Sequence, residues 1–117
     1  MPRPKKCRKV CSMPKICEFY PEGHSADFIT LTVDEYESLR LIDKQGFSQT
    51  ECAAYMQISR TTAQQIYNSA RHKIATALVD GFGLRIVGGD YRLCDSREAG
   101  CTCGGCQKHS RRKGVEN

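Results

Sequence analysis

The chain has 117 residues, a length that suits one domain with a modest core. Charged residues make up 26% of it and apolar residues 39%, a balance typical of globular proteins, and the net charge is +5 at pH 7. The sequence has neither a signal-peptide core nor an apolar run of membrane-spanning length, so we expect a cytoplasmic protein with no membrane partner.

The charge is spread unevenly along the chain. Residues 1–15 hold six basic side chains and no acid, residues 27–51 hold six acids against two basic side chains, and residues 52–79 hold no acid at all. Such asymmetry favours a polyanionic partner that some segments contact and others avoid. A solvated surface without a partner would give the same pattern.

The first segment, residues 1–26, is a basic arm rich in Cys and Pro. Arms of this kind follow the phosphate backbone or a minor groove in small DNA-binding domains, so Arg3, Lys5 and Lys6 are candidate DNA contacts. A solvated arm without a ligand is the alternative.

The second segment, residues 27–82, has helical periodicity. Thr32 and Glu35 form a capping box that predicts the start of the first helix, and Gly46 is expected to end it. One face of this helix is apolar and predicted to point inward: Val33, Tyr36, Leu39 and Ile42. Its other faces carry carboxylates: Asp34, Glu35, Glu37 and Asp43.

Two more helices follow. Ser48 and Glu51 form a second capping box before a short helix over residues 49–56, and Ser59 is an N-cap for a helix over residues 60–79. The inward positions of the short helix are Cys52, Ala53 and Met56. Those of the long helix are Ala63, Ile66, Ala70, Ile74 and Ala77. A three-residue turn between the two helices is typical of a helix-turn-helix.

In a helix-turn-helix, the second helix projects the side chains of its first turns into the major groove, where base edges differ. The polar, non-acidic candidates for this role are Arg60, Thr61, Thr62, Gln64 and Gln65. Arg71 and Lys73 add positive charge further along the helix. A small helical bundle with an ordinary polar face is the alternative interpretation.

Residues 83–94 are predicted to form a β-hairpin about the turn Gly88-Gly89-Asp90, and to pair with residues 16–20. That pairing would bring Cys17 near Cys94. The predicted fold is therefore mainly α: a three-helix helix-turn-helix domain with a small β-hairpin and Cys-rich termini, the last of them a Cys-rich basic tail over residues 95–117.

Eight cysteines in a reducing compartment favour metal or redox chemistry over disulfides. Cys101, Cys103 and Cys106 have C-x-C-x-x-C spacing, and Cys94 offers a fourth thiolate for zinc or an iron–sulfur cluster. A tail that holds no metal is the alternative. A further trio, whose spacing is a weaker signal, consists of Cys7, Cys11 and Cys17. Cys52 is expected in the core.

Residues 47–74 are similar to the promoter-reading fourth region of bacterial sigma factors. The chain also contains the stretches Arg3-Pro-Lys-Lys-Cys-Arg-Lys-Val-Cys, Glu37-Ser-Leu-Arg-Leu-Ile-Asp, Gly46-Phe-Ser-Gln-Thr-Glu-Cys-Ala, Ser59-Arg-Thr-Thr, Ala70-Arg-His-Lys-Ile-Ala and Leu84-Arg-Ile-Val-Gly-Gly. With these stretches, residues 2–93 resemble a family of short prokaryotic proteins of uncharacterised function that are predicted to bind DNA.

The resemblance implies DNA binding, with Arg60, Thr61 and Gln64 where the sigma-like helix touches bases. The sigma pattern favours charged residues at positions 61, 62 and 64, whereas this chain has neutral ones. A sigma promoter element is therefore not the expected target. Promoter melting is not expected either, because no other sigma region is present.

The sequence thus predicts a transcriptional regulator that reads duplex DNA, and leaves a homodimer open. A metal- or redox-responsive DNA-binding sensor that uses the clustered cysteines is the alternative, and a thiol redox enzyme is favoured less. No enzyme is expected, because the three histidines are scattered and neither a phosphate loop nor a nucleophile–base pair is visible.

Overall fold

The computed structural model describes residues 8–23 and 27–94. Within these residues the helices are α1 (Val33–Leu39), α2 (Gln49–Met56) and α3 (Arg60–Asp80), with a π-helical turn at Arg40–Lys44. The strands are β1 (Arg8–Val10), β2 (Glu18–Phe19), β3 (Phe28–Leu31), β4 (Gly83–Ile86) and β5 (Tyr91–Leu93). A mainly helical fold with a few short strands is confirmed. No described helix is both long and apolar enough to cross a membrane.

The three helices begin where local capping chemistry predicts. Thr32 Oγ1 accepts a hydrogen bond from Glu35 N at 3.3 Å while Glu35 Oε1 accepts one from Thr32 N at 2.9 Å. Ser48 and Glu51 form the same reciprocal pair at 3.0 and 2.8 Å. Ser59 Oγ accepts from the Thr62 N–H at 3.1 Å. These bonds satisfy backbone donors that the first turn of each helix would otherwise leave unpaired.

The first helix ends differently from the prediction. After Leu39 the chain widens into the π-helical turn, where Gln45 N donates to Arg40 O, five residues earlier, at 2.9 Å. Gly46, with φ of +82°, then turns the chain toward α2. The predicted stop residue is thus correct, although the α-helix itself is shorter than its apolar pattern suggested.

The sequence placed the carboxylates of α1 outside its apolar face, which suggested that they are exposed, but in the structure they are buried. Asp34, Glu35 and Glu37 are 6%, 8% and 0% exposed, because α1 packs against α3 on one side and β1 on the other. Each carboxylate lies near a cation, which keeps the burial of charge tolerable.

The predicted hairpin of residues 83–94 is wrong, because its two strands belong to different sheets. β4 lies between β2 and β3, antiparallel to β2 and parallel to β3, whereas β5 pairs in parallel with β1. Gly88 and Gly89 have φ of +83° and +101° and carry the chain across the N-terminus of α1, where Val33 N donates to Gly88 O at 2.9 Å. The expected pairing with residues 16–20 is confirmed by Glu18↔Arg85 and Phe19↔Leu84.

Two apolar clusters make the core, and both include residues that precede α1. One cluster consists of Cys11, Leu41, Cys52, Tyr55 and Met56, and the other of Val10, Leu31, Val33, Ala70 and Ile86. The predicted inner face of α3 is buried at Ala63, Ile66, Ala70 and Ala77 and half-buried at Ile74. The expectation that Cys52 lies in the core is confirmed.

Candidate nucleic-acid interface

Helices α2 and α3 are joined by a tight turn of three residues, 57–59. Gln57 ends α2 in the left-handed conformation, with φ of 61° and ψ of 46°. Ile58 follows, its N–H bonded to Ala53 O at 3.1 Å and its side chain packed against the cluster that contains Met56. The turn therefore holds the start of α3 at a defined angle to α2.

One long face of α3 is polar, exposed and free of carboxylates. It consists of Arg60, Thr61, Gln64, Gln65, Asn68, Arg71 and His72, all of which are exposed. Positions four, eight and eleven residues apart share one side of an α-helix, so these side chains form a continuous stripe. We call this stripe the α3 polar face. It includes four of the five base-reading candidates that the sequence indicated.

The fifth candidate, Thr62, is half-buried and belongs to the helix cap. Its Oγ1 accepts a hydrogen bond from Ser59 Oγ at 2.9 Å, and its N–H donates to the same Ser59 oxygen. The side chain is therefore committed to the start of α3 and points less outward than its neighbours.

The two cations further along α3 differ in their surroundings. Lys73 Nζ lies 2.8 Å from Glu35 Oε1, so its charge is neutralised between α3 and α1. Arg71 stays at the surface, with its guanidinium 5.4 Å from the Tyr67 ring centre and 3.8 Å from Asp43 Oδ2. Of the pair, only Arg71 lies on the α3 polar face.

The structure describes only some basic residues of the predicted arm, residues 1–26. Arg3, Lys5 and Lys6 lie outside the described residues. Arg8 lies 3.4 Å from Asp90 Oδ2 and 3.8 Å from Asp34 Oδ2. Lys9 is 7% exposed, with its ammonium 4.5 Å from the Tyr55 ring centre. β1 therefore holds Lys9 in the core.

Arg92 lies beside the α2–α3 turn, and sequence reasoning missed it. Its Nη2 donates to Gln57 Oε1, so β5 brings a cation next to the residue that ends α2. Nothing local in the sequence signals this position, since it follows from the pairing of β5 with β1 at the far end of the described chain.

Of the predicted metal ligands, Cys94 is described and 3% exposed, whereas Cys101, Cys103 and Cys106 lie outside the described residues. Among the described residues, no group of three or more His, Cys, Asp or Glu side chains could hold a metal ion. Burial, helped by the charge of Glu37, raises the pKa of the Cys52 thiol to about 11. That thiol, 3.7 Å from Met56 Sδ, stays protonated and suits a core position.

A family model described as "Protein of unknown function DUF134" matches residues 1–94. A UPF0251 protein of Desulfitobacterium hafniense (strain Y51) is 51% identical over 117 residues, which cover 97% of this chain and 93% of the relative. Another, of Thermoanaerobacter pseudethanolicus, is 48% identical over 103 residues, which cover 86% of this chain and 87% of the relative. A third, of Caldicellulosiruptor saccharolyticus, is 40% identical over an alignment of 139 residues, which covers 96% of this chain and 100% of the relative. No solved structure matches.

Proposed function

We propose that this chain, which belongs to the family described as "Protein of unknown function DUF134", is a transcriptional regulator that binds duplex DNA. In this proposal α2 and α3 form a helix-turn-helix, with α3 as the recognition helix. The observation that carries it is the α3 polar face, which begins at the first turn of α3 and contains no carboxylate.

The residue types at the start of α3 suit base reading. Arg60, Thr61 and Gln64 are exposed within the first turn and a half, the part of a recognition helix that reaches base edges. An arginine donates two hydrogen bonds to guanine in the major groove, and a glutamine donates and accepts with adenine. The similarity of residues 47–74 to the fourth region of sigma factors supports the same orientation.

The distribution of charge supports the proposal as well. The carboxylates of α1 that would repel a phosphate backbone are buried, and two of them, Glu35 and Glu37, bind Lys73 and Arg40 directly. Arg92 adds a cation beside the α2–α3 turn. The α3 polar face has exposed cations and no carboxylate of its own, and such a face attracts DNA through release of the counterions that surround the DNA.

The test is a titration of the full chain against random duplex DNA and against a duplex selected from a random pool. We expect binding to weaken steeply between low and physiological salt. Arg60→Ala and Gln64→Ala should each cost about 1–3 kcal/mol on the selected duplex and less on random DNA, if each contacts a base.

Arg85→Ala is the matched control, because it also removes one cation. Arg85 lies on β4 and not on α3, with its guanidinium 3.1 Å from Glu18 Oε2 and over the Phe28 ring. Its loss should leave affinity for the selected duplex nearly unchanged. Absence of binding at either salt concentration, or an affinity that ignores salt, would refute the proposal. Equal losses on both duplexes would assign Arg60 and Gln64 to phosphate contacts.

A further inference from the structure

We propose that an open groove beside α1 is a binding site for a small organic anion with an apolar body. The groove lies between the connection from β1 to β2 and the segment formed by α1 and the π-helical turn. The inference does not depend on DNA binding. It rests on the volume of the groove, on its apolar walls and on the cations that line it.

The groove has the size of a small-molecule site. Its volume is about 820 Å³, and ligand sites in proteins enclose about 300–1,000 Å³. One wall consists of residues 11–16 and Phe19. The other wall belongs to α1, the π-helical turn and the residue after it: Tyr36, Leu39, Arg40 and residues 43–45. A small molecule therefore has room to enter between the two walls.

Both walls present apolar side chains to the groove. Met13, Ile16 and Phe19 are 41%, 56% and 51% exposed, so one short segment leaves three large apolar side chains uncovered. On the other wall, Tyr36 and Leu39 pack against the second apolar cluster and also line the groove. Single exposed apolar residues are ordinary, whereas several in one place are typical of a binding site. The body of the ligand should therefore be apolar.

The walls are held in place by contacts with the rest of the fold. At the start of the first wall, Cys11 N donates to Glu37 Oε2 at 3.0 Å, and near its end Cys17 O accepts a hydrogen bond from Ile86 N at 2.8 Å. The second wall is anchored by Leu41, which is fully buried within the π-helical turn. Turns of this kind occur frequently at functional sites. Because the groove is already formed, binding costs little ordering of the chain.

The charge along the groove is mainly positive. Among the described residues that line it, Lys15, Arg40 and Lys44 face the single carboxylate of Asp43. That carboxylate is already engaged, because its Oδ1 accepts the Tyr67 hydroxyl at 2.7 Å. Lys15 and Lys44 are exposed, and within the part of the chain that the structure describes neither forms an ion pair. The two lysines therefore complement an anionic group on the ligand.

The ends of the chain outside the described residues do not complement this charge. Residues 1–7 hold three basic side chains and no acid, and residues 95–117 hold five basic side chains and three acids. A second copy of the chain, with its net charge of +5, is opposed by the same repulsion. The occupant is therefore a separate small molecule, a carboxylate or sulfonate attached to an aromatic or aliphatic group.

The experiment titrates the full chain with two fluorescent probes that share the same rings: anilinonaphthalene sulfonate, which is an anion, and phenylnaphthylamine, which is uncharged. We expect one sulfonate per chain, bound more tightly than the uncharged probe and less tightly as salt is added. Lys15→Gln and Lys44→Gln should each weaken binding of the sulfonate about two- to fivefold and leave that of the uncharged probe unchanged. Arg85→Gln is the matched control, since Arg85 lies outside the groove and should change neither affinity.

Ile16→Ala tests the apolar wall. It should weaken binding of both probes about three- to tenfold, because it removes apolar surface that the rings of either probe would cover. Leu78→Ala is the matched control, since Leu78 is 77% exposed, has an aliphatic side chain of the same size and lies on α3 outside the groove. It should change neither affinity.

Amide NMR of the isotope-labelled chain locates the bound sulfonate. Shifts concentrated in residues 12–19 and 36–45 support the site. Absence of saturable binding, equal affinity for the two probes, or shifts centred on the exposed end of α3 would overturn the proposal. A chain that sediments as a dimer and becomes monomeric on Ile16→Ala would also overturn it, because that result assigns the groove to a second copy.

Discussion

The buried carboxylates of α1 are neutralised in three different ways. Glu37 is held by the guanidinium of Arg40 through two bonds of 2.9 Å and accepts the N–H of Cys11. In addition to its capping bond, Glu35 accepts hydrogen bonds from Ser69 Oγ at 2.6 Å and from Lys73 Nζ at 2.8 Å. Asp34 has only the more distant Arg8, and its Oδ1 is buried without a hydrogen bond in the described structure. Charge burial here depends on partners that other elements supply.

The Glu35–Lys73 pair predicts a pH-dependent contribution to stability. Burial raises the pKa of Glu35, but the bonds from Lys73, Ser69 and the Thr32 backbone outweigh it, so the pKa lies below its usual value of 4.5. A carboxyl whose pKa is lowered by folding stabilises the protein above its unfolded pKa. That stabilisation disappears as the pH falls through the folded value.

We expect Lys73→Ala to lower the free energy of unfolding at neutral pH by about 1–2 kcal/mol, a value reduced for the partial exposure of the lysine. The deficit should shrink as the pH falls from 4.5 through the lower folded pKa of Glu35, because protonation of the carboxylate removes the ion pair. Urea denaturation at several pH values measures both effects. Arg71→Ala, which removes a looser and exposed pair with Asp43, should change little. A deficit that does not vary with pH would mean that Lys73 acts through packing.

At the scale of elements, the start of α3 joins a structural role to the proposed functional one. Ser59 caps the helix and lies beside Arg60, the first residue of the α3 polar face. Substitutions of Ser59 can therefore show separately how this position affects protein stability and how it affects affinity for DNA. Asparagine and aspartate both accept the capping hydrogen bond, but only aspartate adds a charge.

We expect Ser59→Ala to cost about 1 kcal/mol of stability through loss of the cap. Ser59→Asn and Ser59→Asp should both keep near wild-type stability. If this end of α3 faces DNA, Ser59→Asp should bind duplex several-fold more weakly than Ser59→Asn, because its carboxylate repels the phosphates. Thermal unfolding and duplex titration of the three variants give the two readouts. Equal affinities of the Asn and Asp variants would place this end of the helix away from the duplex.

At the scale of the molecule, segments before and after the helices complete the core. β1 contributes Val10 to one apolar cluster, while Cys11 joins the other. β4 contributes Ile86, and it lies between β2 and β3, both of which precede the helices in sequence. The helical segment is therefore not packed by itself, since both clusters depend on a strand or residue that lies outside it.

This dependence predicts that a Val→Ala substitution lowers the free energy of unfolding much more in β1 than at the exposed end of α3. Val10 is fully buried, whereas Val79, near the end of α3, is 82% exposed. Val10→Ala should lower the free energy of unfolding by about 2 kcal/mol, through lost burial and an incompletely closed cavity. Val79→Ala should stay within about 0.5 kcal/mol of wild type. Chemical denaturation of both variants measures the difference. Equal effects would show that β1 contributes little to the stability of the helical part.

The start of each helix was decided by the sequence alone, because capping bonds join residues only three positions apart. Thr32, Ser48 and Ser59 therefore mark the helix starts without knowledge of the rest of the fold. The exposure of Arg60, Gln64 and Gln65 could also be predicted, since the apolar positions of α3 determine which side of it faces solvent.

Only the tertiary structure decided what depends on partners distant in sequence. Strands of two to four residues carry too little pattern to choose a partner, so the hairpin prediction failed while β4 and β5 joined separate sheets. The burial of Glu35 depends on Lys73, on another helix. The position of Arg92 beside the α2–α3 turn follows from the β1–β5 ladder. Local hydrogen bonds can be inferred from a short stretch of sequence, whereas strand pairing and ion pairing depend on how the whole chain closes its core.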